Sequence, residues 1–130
     1  MRNGVTTAYR WLALLIAACI VVQVFLAGLG IFGAESFDAH EGFGWMIHTA
    51  AILLFILALI GPRTGRAIGW SFGLLALMTV QIMLVGARDD TPWVAAFHPT
   101  LALFVLGLAS YIGLPAISRR RAASAPRPAG

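Results

Sequence analysis

Four long apolar runs, separated by short polar stretches, dominate the sequence. They extend over about residues 11–33, 37–60, 67–87 and 92–117, so each has at least about 20 residues. A helix rises about 1.5 Å per residue, and each run can therefore cross a hydrocarbon core of about 30 Å. Because the connections are short, neighbouring helices must run antiparallel. The pattern predicts an all-α fold, a transmembrane four-helix bundle with up-down-up-down topology.

Composition agrees with this prediction and excludes a soluble domain. Of the 130 residues, 60% are hydrophobic and only 11% are charged, and the mean hydropathy is +0.89. A soluble domain carries roughly a quarter charged residues on its surface. We assign residues 1–117 to one transmembrane domain. Residues 118–130 are basic and then rich in Ala, Pro and Ser, which predicts a disordered cytoplasmic tail.

The net charge of +4 reflects membrane topology rather than a nucleic-acid partner. Every basic residue is an arginine, and all of them except Arg88 flank one set of segment ends. The acids flank the opposite set: Glu35, Asp38, Glu41, Asp89 and Asp90. This is the positive-inside pattern. It predicts a multi-pass protein of the bacterial inner (plasma) membrane, embedded in the lipid bilayer with both termini cytoplasmic.

Five strongly polar side chains lie within the apolar runs, all in the half nearer the outer face. They are Gln23, His40, His48, Gln81 and His98. Polar side chains at membrane depth normally face the bundle interior and mark functional sites. The second and fourth runs both carry a histidine in their first turns. The residues around His40 and His98 differ, however, so the sequence predicts no strong internal repeat.

Spacing along the second run argues against one metal ion held by all three histidines. His40, Gly44 and His48 follow each other at intervals of four, so they lie along one helix stripe, with the glycine as a notch for a flat ring. His40 and His48 are about 12 Å apart along the axis. Two imidazoles on one metal ion bring their nitrogens to within about 4 Å. We predict no catalytic residue.

A haem b held by histidines of two helices fits this spacing better. The second and fourth helices run in the same direction, and His40 and His98 differ by about 4 Å in depth. They are the first choice as metal ligands, with His48 as the alternative ligand or a supporting donor. Arg88 either pairs with a haem propionate or forms an ion pair with Asp89 or Asp90.

Electron transfer with a membrane redox partner is the function that such a haem implies. Two alternatives stay open. In the first, the chain is a non-catalytic membrane protein whose histidines and glutamines only join helices. In the second, it is an accessory subunit that binds a quinone or lipid head group through Gln23, Gln81 and the histidines.

Two stretches carry a resemblance to known proteins. FDAHEGFGWMIH in the second run and FHPTLALFVLGLA in the fourth resemble a family of small uncharacterised bacterial four-helix membrane proteins, over Tyr9 to about Ile117. More distantly, one histidine each on the second and fourth helices is similar to the haem-holding half of haem A synthase and to b-type membrane cytochromes. That resemblance implies His40 or His48, together with His98, as axial ligands. The chain lacks the synthase's Glu-x-x-His spacing and its outer-loop cysteine pair.

Overall fold

A computed structural model describes residues 2–117, which are helical and contain no strand. The helices are α1 (Arg2–Ile31), α2 (Asp38–Ile60), α3 (Gly65–Gly86), α4 (Pro92–Ala95) and α5 (Phe97–Gly113). Four helical spans are long and apolar enough to cross a membrane: Asn3–Ile31, Asp38–Ile60, Gly65–Gly86 and Pro92–Ile117. The predicted all-α transmembrane bundle is confirmed. The predicted tail at 118–130 lies outside the described residues.

The first helix begins earlier than the apolar run that predicted it. That run begins at about residue 11, whereas α1 begins at Arg2. The added turns are polar, and within them the Thr7 hydroxyl donates to the Asn3 carbonyl at 2.9 Å. Hydropathy indicates which residues can lie in hydrocarbon, but helical hydrogen bonding continues beyond the membrane wherever no residue interrupts it.

The fourth run is interrupted near its start, where a single helix was predicted. The short α4 ends at Ala95, and α5 begins at Phe97. Pro99 accounts for this break, because it has no N–H to donate and its ring opposes the carbonyl four residues earlier, that of Ala95. The interruption puts His98 in the first turn of α5.

The long helices form a closed ring in the order α1, α2, α3, α5, in which α5 packs back against α1. Helices α1 and α3 therefore lie on one diagonal, and α2 and α5 on the other. Four alanines are fully buried in the core: Ala13, Ala51, Ala58 and Ala109. Small residues let helix backbones approach closely in a membrane, where packing replaces the hydrophobic effect as the main attraction between helices.

The two ends of the bundle differ in charge. We call the end with loops 32–37 and 87–91 the acidic end, because all five acids of the chain lie in or beside these loops. The opposite end, with loop 61–64 and the start of α1, is the basic end. There, Tyr9 joins the α1–α3 diagonal: its hydroxyl lies 2.9 Å from the Ser71 hydroxyl and donates to the Ala67 carbonyl at 3.3 Å.

The α1–α2 hairpin and the α3–α5 hairpin repeat one buried pattern at a spacing of 58 residues, which the residue types alone did not predict. Eight positions that are buried in the first hairpin are buried again 58 positions later. The pairs are Ala13/Ser71, Ile16/Leu74, Ile20/Met78, Gln23/Gln81, Ile47/Val105, Ala51/Ala109, Leu54/Ile112 and Ala58/Ala116. Equivalent hairpins in a four-membered ring are related by a half-turn about the bundle axis, as in parallel membrane repeats.

The close approach of α1 and α5 at the basic end depends on Gly113. A Cβ atom at Gly113 would lie 2.5 Å from Leu14 Cγ and 3.0 Å from the Arg10 carbonyl oxygen, whereas one at Gly107 would meet nothing within 4 Å. Gly113→Ala should therefore lower the free energy of unfolding by about 1–3 kcal/mol through overpacking. SDS titration of the purified protein, followed by circular dichroism, measures this change.

Gly107→Ala is the matched control in the same helix. It should leave stability unchanged or raise it by about 0.5–1 kcal/mol, because alanine is the better helix former. Equal stability of the two variants would contradict the close packing of α1 against α5.

Candidate functional site

A cavity of about 630 Å³ opens at the acidic end. Five residues singled out from the sequence line it: Gln23, His40, Gly44, Arg88 and His98. The remaining lining residues are Phe37, Glu41, Trp45, Ile82, Val85, Gly86 and Asp89. The volume falls within the range of about 300–1,000 Å³ that is usual for ligand sites in proteins.

His40 and His98 face each other across the bundle. Their ring centres are 6.0 Å apart, and their planes are inclined by 67°. They occupy equivalent positions of the two hairpins, one on α2 and one on α5, so the half-turn axis passes between them. The structure brings together the two histidines that the sequence analysis chose first.

Each of these histidines is held by a hydrogen bond to a neighbouring helix, 17 residues back along the chain. His40 Nδ1 lies 3.1 Å from the Gln23 carbonyl oxygen, and His98 Nδ1 lies 2.9 Å from the Gln81 carbonyl oxygen. A carbonyl oxygen only accepts, so Nδ1 carries the proton in both rings. In the neutral imidazole, Nε2 then keeps a free lone pair, which is the form that binds metals.

The surroundings of His40 add further contacts between α1 and α2. The Gln23 side-chain amide donates to the His40 carbonyl oxygen at 2.6 Å, so the two residues bond each other in both directions. Gly44 leaves room for that amide, since a Cβ atom at this position would lie 2.9 Å from Gln23 Nε2. The Phe37 ring meets His40 edge-on at 6.2 Å and packs against Gly30.

His48 and the Gln81 side chain do not line the cavity. The His48 ring instead meets Trp45 edge-on at 6.0 Å, and its buried Nδ1 makes no hydrogen bond within the described residues. Gln81 contributes to the site only through its backbone carbonyl, while its side chain is buried with an unpaired Oε1. The Gln23 Oε1 atom is likewise buried and unpaired among these residues.

Arg88 lies at the rim of the cavity, beside acidic residues. Its Nε atom is 3.6 Å from Asp89 Oδ1, and both side chains are well exposed, so water screens this ion pair. One of the two roles predicted for Arg88 was an ion pair with Asp89 or Asp90, and the structure contains the pair with Asp89. Since Glu41 and Asp89 also line the cavity, its rim carries charges of both signs.

Several lining residues escaped the sequence analysis. Phe37, the N-cap of α2, precedes His40 by three residues, so helical spacing could have indicated it. Glu41 directly follows His40, and that spacing does not indicate it. Ile82, Val85 and Gly86 are ordinary apolar residues of α3. No sequence signal distinguishes them, because they line the cavity only through the packing of α3 against α2.

The donor set fits a group that takes one nitrogen ligand on each side. Within residues 2–117, no three His, Cys, Asp or Glu side chains are grouped in a way that could hold a metal ion. Two imidazoles on opposite sides of one metal ion, with bonds near 2 Å, have ring centres about 6 Å apart. The 6.0 Å separation of His40 and His98 matches this spacing. The apolar walls and the volume suit a flat organic ligand around such an ion.

Comparison with known proteins identifies a family but no activity. The model of a family of unknown function (DUF6220) matches residues 23–88, about half of the chain. The chain belongs to this family, and the predicted membership in an uncharacterised family is confirmed. No curated protein and no solved structure matches the chain significantly. These comparisons therefore give no support to the resemblance to haem A synthase or to b-type cytochromes.

The carbonyl contacts predict the tautomers of the ligand-free protein. In protein labelled with ¹⁵N-histidine, long-range ¹H–¹⁵N spectra at neutral to mildly alkaline pH should show Nδ1–H for His40 and His98. His48 serves as the internal reference, and His→Gln variants assign the three rings. Nε2–H in both His40 and His98 would contradict the hydrogen bonds to Gln23 and Gln81.

Proposed function

We propose that this member of the DUF6220 family binds one b-type haem between His40 and His98 and serves electron transfer in the membrane. One observation carries the proposal: two opposed imidazoles with 6.0 Å between ring centres, each with its Nδ1 bonded to a backbone carbonyl. Bound haem would supply one-electron redox chemistry. The residues of the chain would orient the ligand nitrogens, exclude water and balance charge.

The hydrogen bonds to the two carbonyls are made by Nδ1, and they would influence the proposed ligand atom Nε2 through the ring. A hydrogen bond at Nδ1 fixes the ring orientation and the tautomer, and it raises the basicity of Nε2. Both rings donate this bond to a carbonyl at an equivalent position of the preceding long helix. We infer that the two axial positions are chemically similar, because the repeated hairpins present the same ligand with the same supporting acceptor.

The remaining walls suit a macrocycle with one polar edge. Trp45, Ile82 and Val85 provide apolar surface on the α2 and α3 sides. Arg88 lies at the rim, where a carboxylate on the ligand could replace Asp89 as its partner. An exposed ion pair of this kind is worth only about 0–1 kcal/mol, so the exchange costs little.

A visible spectrum of the purified protein tests the proposal. Protein expressed with ample haem should show a Soret band and a sharp α band on reduction. His40→Ala and His98→Ala should each weaken haem retention by about tenfold or more, since each removes an axial ligand. His48→Ala is the matched control. It should retain the spectrum, because His48 does not line the cavity.

Two further comparisons separate ligand loss from misfolding. Exogenous imidazole should restore the spectrum of His98→Gly if the imidazole ring is all that the variant lacks. Gly44→Ala should retain haem less well than Gly42→Ala, because only a Cβ at Gly44 meets the Gln23 amide. Parent protein that stays colourless with haem present, yet folded, would refute haem binding and favour purely structural histidines.

A quinol is the second candidate ligand, favoured by the Gln23 amide. Gln23 lines the cavity, and its buried Oε1 accepts no hydrogen bond within residues 2–117. A quinol hydroxyl is a donor that could satisfy this oxygen, whereas haem carries no comparable donor. Colourless protein that co-purifies with a quinone, and loses it in Gln23→Leu, would favour this alternative.

We also propose that the acidic end faces outward and the basic end faces the cytoplasm of a bacterial inner membrane. The charge asymmetry between the loops supports this orientation. In a Cys19→Ser background, Asp90→Cys should react with a membrane-impermeant maleimide in intact spheroplasts. Arg63→Cys should react only after the membrane is disrupted. The reverse labelling pattern would overturn the orientation.

A further inference from the structure

A second site lies between α3 and α5 at the basic end, far from the histidines. Arg66, in the first turn of α3, donates through Nη2 to the Tyr111 hydroxyl on α5. Its guanidinium carbon is 5.8 Å from the Tyr111 ring centre, and the Trp70 ring meets Tyr111 edge-on at 5.6 Å. These three side chains form a cationic and aromatic cluster that joins the two helices.

An apolar groove begins at this cluster and follows α5 into the membrane. It is a shallow, open depression of about 520 Å³, lined by Trp70, Leu103, Phe104, Gly107, Leu108 and Tyr111. Gly107 leaves its floor open, since a Cβ atom there would meet nothing within 4 Å. The groove is thus a long apolar depression with an arginine at its aqueous end.

Within residues 2–117, Arg66 forms no ion pair with an acidic side chain. Its bonded partner Tyr111 is a neutral hydroxyl, and the five acids of the chain all lie at the acidic end. Arg66 also stands at the start of a 22-residue helix, where the helix dipole and the first N–H groups favour an anion. Both features favour negative charge at this end of α3, although the Thr64 hydroxyl already accepts from the Ala67 N–H at 3.1 Å.

We propose that an anionic phospholipid of the adjacent leaflet binds here, with its phosphate on Arg66 and an acyl chain in the groove. The pairing follows from charge and shape: basic pockets between transmembrane helices bind anionic head groups, and aromatic side chains position them at the interface. A zwitterionic lipid fills the same groove, but its own cation offsets the attraction to Arg66. The site is independent of the histidine cavity and of any cofactor there.

Lipid quenching of Trp70 fluorescence tests the site directly. The protein has four tryptophans, so the probe is a variant with Trp11, Trp45 and Trp93 changed to Phe. This variant is placed in nanodiscs containing brominated phosphatidylglycerol or brominated phosphatidylcholine. Quenching should show a relative association constant about fivefold in favour of the anionic lipid, as expected for one arginine near the surface.

Two arginine variants test whether Arg66 causes the preference for the anionic lipid, and a third variant tests the groove. Arg66→Gln should reduce the ratio to about one, whereas Arg63→Gln, which removes the same charge from the neighbouring loop, should leave most of it. Gly107→Leu should fill the groove and lower quenching by both lipids. Circular dichroism checks that each variant is folded. Inorganic phosphate at millimolar concentration should not abolish the preference, because it has no acyl chain for the groove.

Equal quenching by the two lipids in the parent protein would overturn the proposal. The same holds if Arg63→Gln and Arg66→Gln reduce the ratio equally, since the basic end would then attract anionic lipid only through its overall charge. Displacement by phosphate would also overturn it, by showing an anion site without a lipid.

Discussion

The hydrogen bonds from His40 and His98 to the backbone carbonyls of Gln23 and Gln81 hold the acidic end of this bundle together. Hydrocarbon offers no water to satisfy a polar ring, so a partner within the protein stabilises a histidine at membrane depth. His40 and His98 have such a partner at Nδ1, whereas the buried Nδ1 of His48 makes no hydrogen bond within residues 2–117. The contact satisfies Nδ1, ties the two helices of one hairpin, and leaves Nε2 as the free acceptor. The same bond therefore joins neighbouring helices and fixes the orientation of the ring.

The same hydrogen bond occurs in both hairpins. One histidine facing inward would be only a packing residue, but the same residue in the second hairpin puts an equivalent ring 6.0 Å away across the bundle. The two halves differ in detail around this pair. Gly44 of the first hairpin corresponds to Ala102 of the second, and only Gln23 of the two glutamines lines the cavity. The cavity lining therefore differs between the two hairpins, although His40 and His98 occupy equivalent positions.

Different side chains join the helices at the two ends of the bundle. At the acidic end, α2 and α5 are bridged through the histidine pair, and the rim carries charges of both signs. At the basic end, the α1–α3 diagonal is bridged by Tyr9 and Ser71, while Arg66 and Tyr111 join α3 to α5. Fully buried small residues such as Ala13 and Ala51 fill the region between them. The polar contacts therefore lie toward the two interfaces, where hydrated head groups are close.

The four spans, the antiparallel order of the helices and the separation of charge can be predicted from the sequence alone. Each of these follows from length, hydropathy and loop charge, which act locally along the chain. It also determined that Gln23, His40, His48, Gln81 and His98 lie in one half of the membrane, because helical rise converts residue number into depth. Within that half, His40 and His98 were the preferred pair by depth alone.

Which polar side chains contact each other depends on how the helices pack. Depth does not specify rotation about a helix axis, so the opposition of His40 to His98 and the position of His48 outside the cavity required the packed bundle. The extent of the repeat also depends on the packed bundle: Gln23/Gln81 and His40/His98 match in residue type, whereas Ile16/Leu74 match only in burial. The apolar residues of α3 line the cavity for the same reason. These residues line the cavity because of the helix that packs against α3, and no local sequence pattern indicates that packing.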